Sequence, residues 1–478
     1  MAWFLALAVG LVLADSAIVT LALPQVLRDF DAQVGQVAWV LTAYNLVLGL
    51  ATVPAARGSL TPKTATRSGL IGLAVFAGAS AACAFAPSLS VLIGARIVQA
   101  LGGALVITAS LELLVAATGS AKIGAARWAT AGVAGAGIGP VAGGLLTQAF
   151  SWRAIFLVQV PLALLAIPAV RNAGRRALDP IWSAEAETAA HPFPLHKADR
   201  PRIAANIALG LLSAALTAAL FLLVLLLIEG WRRTPVAAAL TVTVIPLAAV
   251  AAGSVARAAK AGTRGEAIAG AILVAGGLAA LAYLPDASLA WTIAPQALVG
   301  LGLGLTVESL TAFALRDRFP RALQGGWTIA ARHLGIVVGL LILTPIFVAD
   351  LDRAQGHAEE AITQLVIDAP VPAATKLGLA AALQQQMSGE RGRVPDLAPA
   401  FEGLEVEASS QAEVDALHAA MNDQLERAAT HAFHDAFLVG GLLAVLAIIP
   451  ALLLRDIDRR DPGDRHEPDA PTLVRVPT

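Results

Sequence analysis

The sequence predicts an all-α protein that threads a membrane twelve times in two halves of six helices, with a helical insert outside the membrane between helices eleven and twelve. Three observations predict it. Of 478 residues, 57% are hydrophobic and 14% charged, with a mean hydropathy of +0.72, a balance far from that of a soluble domain. The apolar residues gather into twelve runs, each about 17 to 28 residues long and so able to cross a bilayer as a helix. Lys and Arg crowd into alternate loops, as they do on the cytoplasmic side of membrane proteins.

The runs lie near 2–23, 36–54, 68–86, 89–116, 124–147, 154–170, 203–228, 235–258, 267–284, 289–315, 327–348 and 432–454. The first has no Lys or Arg before it and continues past Asp15 to Leu23, so it reads as a span and not as a signal peptide. Arg57, Lys63 and Arg67, then Lys122 and Arg127, then Arg171, Arg175, Arg176, Lys197, Arg200 and Arg202 mark every second loop. Arg257, Lys260 and Arg264, then Arg316, Arg318 and Arg321, continue the series, which places both termini in the cytoplasm. The predicted parts are a first half at 1–170, a cytoplasmic linker at 171–202 rich in proline, a second half at 203–454, and a tail at 455–478.

Residues 350–431 are predicted to lie outside the membrane, and they carry 14 acidic residues against five basic ones. Ile362, Leu365, Val366, Leu377, Leu379, Leu383, Leu417 and Leu425 recur at helical spacing, so helices eleven and twelve should run on past the membrane and pack with a short helix near 372–388. Ser410 and Glu413 have the spacing of a capping box at the start of the returning helix. Val98 to Leu114 resembles Pro295 to Leu310, with Gln99 and Gln296 in matching places. Such a repeat is what two parallel halves around a transport path leave in sequence.

The fifth run contains GVAGAGIGPVAGG, Gly132 to Gly144. Gly135, Gly139 and Gly143 fall on one helical face that lets another backbone approach closely, and Pro140 and Gly144 complete the pattern. Followed by SWRAIFLVQVP, this stretch resembles the antiporter motif of drug:proton antiporters in the major facilitator superfamily. The resemblance extends to ADSAIVTLALP at Ala14–Pro24, AWVLTAYNL at Ala38–Leu46, RIVQALGGA at Arg96–Ala104 and RHLGIVVG at Arg332–Gly339. One loop departs. Gly58–Arg67 reads GSLTPKTATR, with Pro62 where the family has an aspartate, and the chain lacks the two extra helices of the fourteen-helix antiporters.

A proton-driven exporter needs an acid within the spans that takes and releases protons in competition with its solute. The candidates for proton coupling are Asp15, Arg96, Glu308 and Arg332, with a Glu308–Arg332 pair as one arrangement. For Asp15 and Arg96 the alternative is a pairing that only holds helices together. His333 reads as a group that could titrate near neutral pH or, more in keeping with one histidine beside a motif arginine, as a packing or interhelical hydrogen-bonding residue, and Glu112 as a solvated one. Tyr44, Asn45 and Gln99 are expected to line the substrate cavity.

The expected partners are membrane lipids and a small hydrophobic or cationic substrate, moved by a monomer in a bacterial inner membrane. No cofactor beyond the proton gradient is expected. A near-neutral net charge of −1 excludes nucleic acid as a partner. Neither a GxxxxGK[ST] loop nor a cysteine site is available, since Cys83 is the one cysteine, and His431, His434 and Asp435 are a thin case for a metal. The second function reading is lipid or glycolipid export, with 350–431 guiding an acyl chain or docking a periplasmic lipoprotein. The long helices eleven and twelve resemble those of lipid-exporting relatives in the same family.

Overall fold

The computed structural model describes residues 2–177, 199–259, 262–315, 321–388, 397–402 and 411–454. Pro180, Pro192 and Pro194 of the linker, the Ser410 end of the capping box, Arg316, Arg318 and the tail 455–478 lie outside the described residues.

Among the described residues, twelve helices are long and apolar enough to cross a membrane. They are helix one Ala2–Thr20, two Val34–Arg57, three Lys63–Ala84, four Leu89–Thr118, five Ile123–Ala149 and six Trp152–Arg176. The second set comprises seven Arg200–Gly230, eight Pro235–Gly253, nine Thr263–Ala282, ten Leu289–Leu315, eleven Ala322–Asp368 and twelve Gln411–Ala451. With no water in the hydrocarbon, helices meet through small residues and not through a hydrophobic drive. The chain supplies those small residues in matching places.

Gly10 of helix one faces the Ala131 carbonyl of helix five, where an added Cβ would stand 3.1 Å from that oxygen. Gly210 of helix seven faces the Ala331 carbonyl of helix eleven at the same 3.1 Å. Gly139 meets Ala14 at 3.1 Å and Gly339 meets Ala214 at 2.8 Å. Gly72 and Gly102 join helices three and four as Gly270 and Gly302 join nine and ten. These contacts relate the halves and move the repeat by about one helical turn from the sequence alignment, so that Gln296 stands opposite Arg96 and not opposite Gln99. Ala215 stands opposite Asp15. The second half has neither partner of the first half's buried charge pair.

The halves touch along helices two and eleven, where Gly49 packs on Leu334 and Gly326 on Thr52 and Ala56. Helix five reaches helix eight through Gly144, where a side chain would collide with Ala239 and Pro235. At the end of the bundle that carries the insert, Leu27 and Val34 of the first half close on Leu225, Phe347, Leu351 and Phe433 of the second. Helix seven there includes two π-helical turns, Ala218–Leu222 and Leu226–Gly230. In the departing loop, Pro62 opens helix three at its first position, and Thr61 Oγ1 caps the helix by accepting from the Thr64 amide at 3.2 Å.

The insert is helical. The α-helix that carries span eleven starts one residue before it, at Arg321, and runs unbroken for 48 residues to Asp368, followed by Ala373–Ser388 in the place expected for 372–388, and by Ala398–Glu402. The arm Gln411–Ala432 returns to helix twelve. Ala358, Ile362 and Val366 meet Leu417, Met421 and Leu425 in a small core that Leu379, Leu383 and Leu397 complete. The spacings of three and four residues put each set on one helical face. At its base, Trp231 Nε1 donates to Thr430 Oγ1 at 2.9 Å and the Phe347 and Phe433 rings lie 4.3 Å apart.

Candidate functional site

The glycine face of helix five determines where Asp15 stands. Gly135 lies so close to the Gly10 carbonyl, and Gly143 to the Ile18 carbonyl, that a methyl group at either would overlap it. Helix five runs through Pro140 without a break. With helix one held against it through Gly10, Ala14 and Ile18, Asp15 points into the interior of the first half and is fully buried.

Arg96 of helix four, also fully buried, forms an ion pair with Asp15 Oδ2. A lone charge there would cost several kcal/mol, on the order of 2.5–3.5 by insertion scales, and the pair offsets that cost only if further hydrogen bonds satisfy the remaining lone pairs and protons. Most are satisfied. Arg96 Nη1 donates to Gln99 Oε1 at 2.6 Å and Nε to the Val40 carbonyl at 3.3 Å. The Tyr44 ring lies 3.9 Å from the guanidinium carbon, within cation–π range, and its hydroxyl donates to the Val12 carbonyl at 3.0 Å. Among the described residues, Arg96 Nη2 has no acceptor.

The other carboxylate oxygen has its own partner. Gln159 Nε2 of helix six donates to Asp15 Oδ1 at 2.8 Å, while Gln159 Oε1 accepts from Gln99 Nε2 at 2.7 Å and lies 3.2 Å from Ser80 Oγ. Gln99 Nε2 also donates to Ser80 Oγ at 2.8 Å. Cys83 Sγ lies 3.8 Å from Gln99 Oε1, so the one cysteine is a packing neighbour of the network. Helices one, three, four and six thus meet in one dry polar knot.

Beside it, Asn45 links three helices. Its Oδ1 accepts from Ser16 Oγ at 3.2 Å and lies 2.7 Å from His333 Nδ1 of helix eleven, while its Nδ2 donates to the Leu41 carbonyl at 2.8 Å. His333 is therefore the interhelical hydrogen-bonding residue that its sequence neighbourhood suggested, and its bond crosses between the halves.

Several expectations need correction. Tyr44, Asn45 and Gln99 were expected on a cavity wall, and the structure buries all three at 0% exposure, Tyr44 and Gln99 against Arg96 and Asn45 beside them against Ser16 and His333. Their hydrogen-bonding groups serve protein partners because an unpaired polar group inside a helix bundle is costly. Glu308 is exposed and sits beside Gly253 of helix eight, and no ion pair joins it to Arg332, which is partly buried. Helix ten simply turns Glu308 away from helix eleven. Glu266, not singled out from the sequence, lies in helix nine and is 2% exposed. His431, His434 and Asp435 do not converge on a metal, and among the described residues no set of three ligating side chains does.

Gln159, Ser80 and Ser16 were not singled out from the sequence. Gln159 lies within the SWRAIFLVQVP stretch that follows the glycine motif, and its amide in an otherwise apolar helix was the available signal. The same stretch anchors helix six. Trp152 N donates to Gln25 Oε1 at 2.8 Å, and Trp152 Nε1 donates to Asp29 Oδ2 at 2.8 Å, tying helix six to the short helix Leu23–Asp29 that follows helix one.

Known proteins resemble the chain in two ways. The multidrug efflux pump LfrA of Mycolicibacterium smegmatis is 39% identical over 164 residues, 34% of this chain and 32% of that protein. The multidrug resistance protein Stp of Mycobacterium tuberculosis is 36% identical over 161 residues, 33% of this chain and 30% of that protein. The chain thus matches about a third of the length of these curated relatives. A bacterial homologue of the human lysosomal transporter Spinster, solved in an inward-facing and occupied conformation, superposes with a TM-score of 0.59 over 97% of this chain and 98% of that one, at 15% identity. That likeness shows the fold. Residues 5–340 match the family model of the Major Facilitator Superfamily, and the chain is a multi-pass membrane protein that belongs to that family.

Proposed function

We propose that the chain is a secondary active transporter that exports small hydrophobic or cationic compounds in exchange for protons, by alternating access in a bacterial inner membrane. Asp15 takes and releases the proton, and Arg96 is its counter-charge. The observation that carries this reading is the buried Asp15–Arg96 pair on helices one and four, absent at the matching Ala215 and Gln296 of the other half. A charge pair that served stability alone would be poorly chosen, because well-packed apolar residues often serve as well. A carboxylate whose ionisation decides whether an arginine stays bound can instead report a proton to the helices around it. The efflux and resistance functions of the relatives support export of this kind, and the alternating Lys and Arg support cytoplasmic termini.

The test is transport by the purified full chain in proteoliposomes, with ethidium as the probe and an imposed pH gradient. Asp15→Asn keeps the side-chain shape and removes the titrating group, so gradient-driven ethidium movement should fall to the level of empty liposomes. Full activity of that variant would refute the coupling role.

A second reading, lipid or glycolipid export, is favoured by the groove of about 430 Å³ on the insert, largely apolar between Leu365, Ala369 and Pro370 on one side and Ala416 and Leu417 on the other, with Asp368 and Glu413 also in its wall. In the same proteoliposomes a fluorescent acyl lipid replaces ethidium. Movement of the lipid and not of the dye would select this reading.

A further inference from the structure

The two buried glutamines between Asp15 and Arg96 form a chain whose hydrogen-bond direction is fixed at both ends. Arg96 can only donate, so the Gln99 atom facing Nη1 at 2.6 Å must be its carbonyl oxygen. Gln99 Nε2 must then face Ser80 Oγ and Gln159 Oε1, and Gln159 Nε2 must face Asp15 Oδ1. This one arrangement satisfies an ionised Asp15, which accepts Gln159 on one oxygen and Arg96 on the other. Both amide orientations follow from the charges at the ends of the chain.

A proton arriving from solvent on Asp15 turns one acceptor into a donor. On Oδ2 it meets the Arg96 donor directly. On Oδ1 it meets the Gln159 donor, and Gln159 can satisfy it only by turning its amide to present Oε1. Gln159 Nε2 then faces Gln99, which must turn in the same way. Ser80 permits that step, because its hydroxyl, which donates to the Phe76 carbonyl at 2.7 Å, can rotate to donate to the turned Gln99 carbonyl. The last consequence falls on Arg96, which then faces Gln99 Nε2, a second donor, in place of an acceptor. Either route ends with Arg96 losing an acceptor.

We propose that Gln159 and Gln99 act as a paired amide relay that converts protonation of Asp15 into release of Arg96. The proposal rests on the proton-coupling reading of Asp15 and names Gln159 as a positioning residue for it. The other groups around Asp15 do not supply the same link. Helix five presents glycines, Tyr44 of helix two donates to Val12 and Cys83 of helix three is a weak donor at 3.8 Å from Gln99. His333 of helix eleven reaches the layer only through Asn45 and Ser16.

The experiment follows the Asp15 carboxyl band by infrared difference spectroscopy against pH in the reconstituted full chain, with Asp15→Asn as the blank. Gln159→Met removes a hydrogen bond to the ionised form, and its midpoint should rise by about one pH unit or more. Gln99→Met does not alter any atom bonded to Asp15, yet it frees Gln159 to turn, so its midpoint should also rise. In the Gln159→Met background the Gln99 substitution should no longer move the midpoint. Shifts that add in the double variant, or a Gln99→Met midpoint equal to wild type, would overturn the relay and leave proton coupling standing. A wild-type chain without a titrating Asp15 band would overturn both. Should Gln159→Met not insert into the membrane, Gln99→Met against wild type decides the matter by itself.

Discussion

Replacing Arg96 by Met keeps most of the side-chain volume and removes the cation. Asp15 then loses its ion pair on Oδ2 and retains one hydrogen bond, from Gln159 at 2.8 Å, in a site with no exposure. Breaking a buried pair from one side costs about 3–5 kcal/mol, because the remaining charge is stranded. The same range applies to Asp15→Leu, which strands Arg96. The double variant Asp15→Leu with Arg96→Met strands neither charge. Its remaining cost is the acceptor lost by Gln159 Nε2 and the donor lost by Gln99 Oε1, about 1–3 kcal/mol for each buried group, and each single variant carries one of these losses besides its stranded charge. The cycle should therefore show a coupling of several kcal/mol, with the double variant more stable than either single one although all three have lost Asp15–Arg96 function. Equilibrium unfolding of the purified protein in mixed micelles measures it. A double variant as unstable as the sum of the single ones would refute the view that these two charges stabilise one another.

Further outcomes follow from the close contacts and from the insert. Gly135→Ala and Gly335→Ala each place a methyl group against a facing carbonyl, of Gly10 and of Gly210 respectively, and should each cost about 1–3 kcal/mol. Gly78→Ala on helix three meets nothing within 4 Å and should be neutral or mildly stabilising, by up to about 1 kcal/mol; the same unfolding assay compares them. Where helix eleven leaves the membrane, burial and then the Asp435 carboxylate raise the Asp350 pKa above its ordinary 3.8, against the opposing pull of Arg353. The folded state therefore favours the protonated acid, and stability falls as pH rises from about 3.8 through the folded value. Asp350→Asn should raise the melting temperature at neutral pH, with the gain disappearing below the ordinary carboxylate range; a gain that grew on acidification would contradict the sign.

The spans and the insert were legible in the sequence because they rest on local quantities. A run of apolar residues needs no partner to be recognised, and Ile362, Val366, Leu379 and Leu383 repeat at a period that only a helix can use. Asp15 and Arg96 stood out for the same reason, as charges where charges are expensive. Their partners did not. Gln159 is separated from Asp15 by 144 positions, and which oxygen it serves depends on how helix six is rotated. Glu308 and Arg332 show the converse, for two opposite charges on successive helices looked like a pair until rotation turned one outward. The repeat was visible but out of register, since matching Gln99 with Gln296 follows letters, whereas matching Gly102 with Gly302 follows which backbone each one touches.

The unbroken helix from Arg321 to Asp368 joins the interior of the bundle to the far end of the insert by one rod. At 1.5 Å per residue its 48 residues reach about 72 Å, and roughly the last 20 residues, about 30 Å, stand beyond the span. Such a rod acts as a lever, with its fulcrum where helix eleven crosses helix two beside Asn45. A rocking of about 15°, the size of known subunit rotations, would sweep the far tip, about 52 Å from that fulcrum at 1.5 Å per residue, by about 14 Å. Because the tip also packs on the arm of helix twelve, the two arms would swing together and carry the groove of Leu365 and Leu417 across the membrane face. The insert would thereby display outside the bilayer the state of contacts made at its centre.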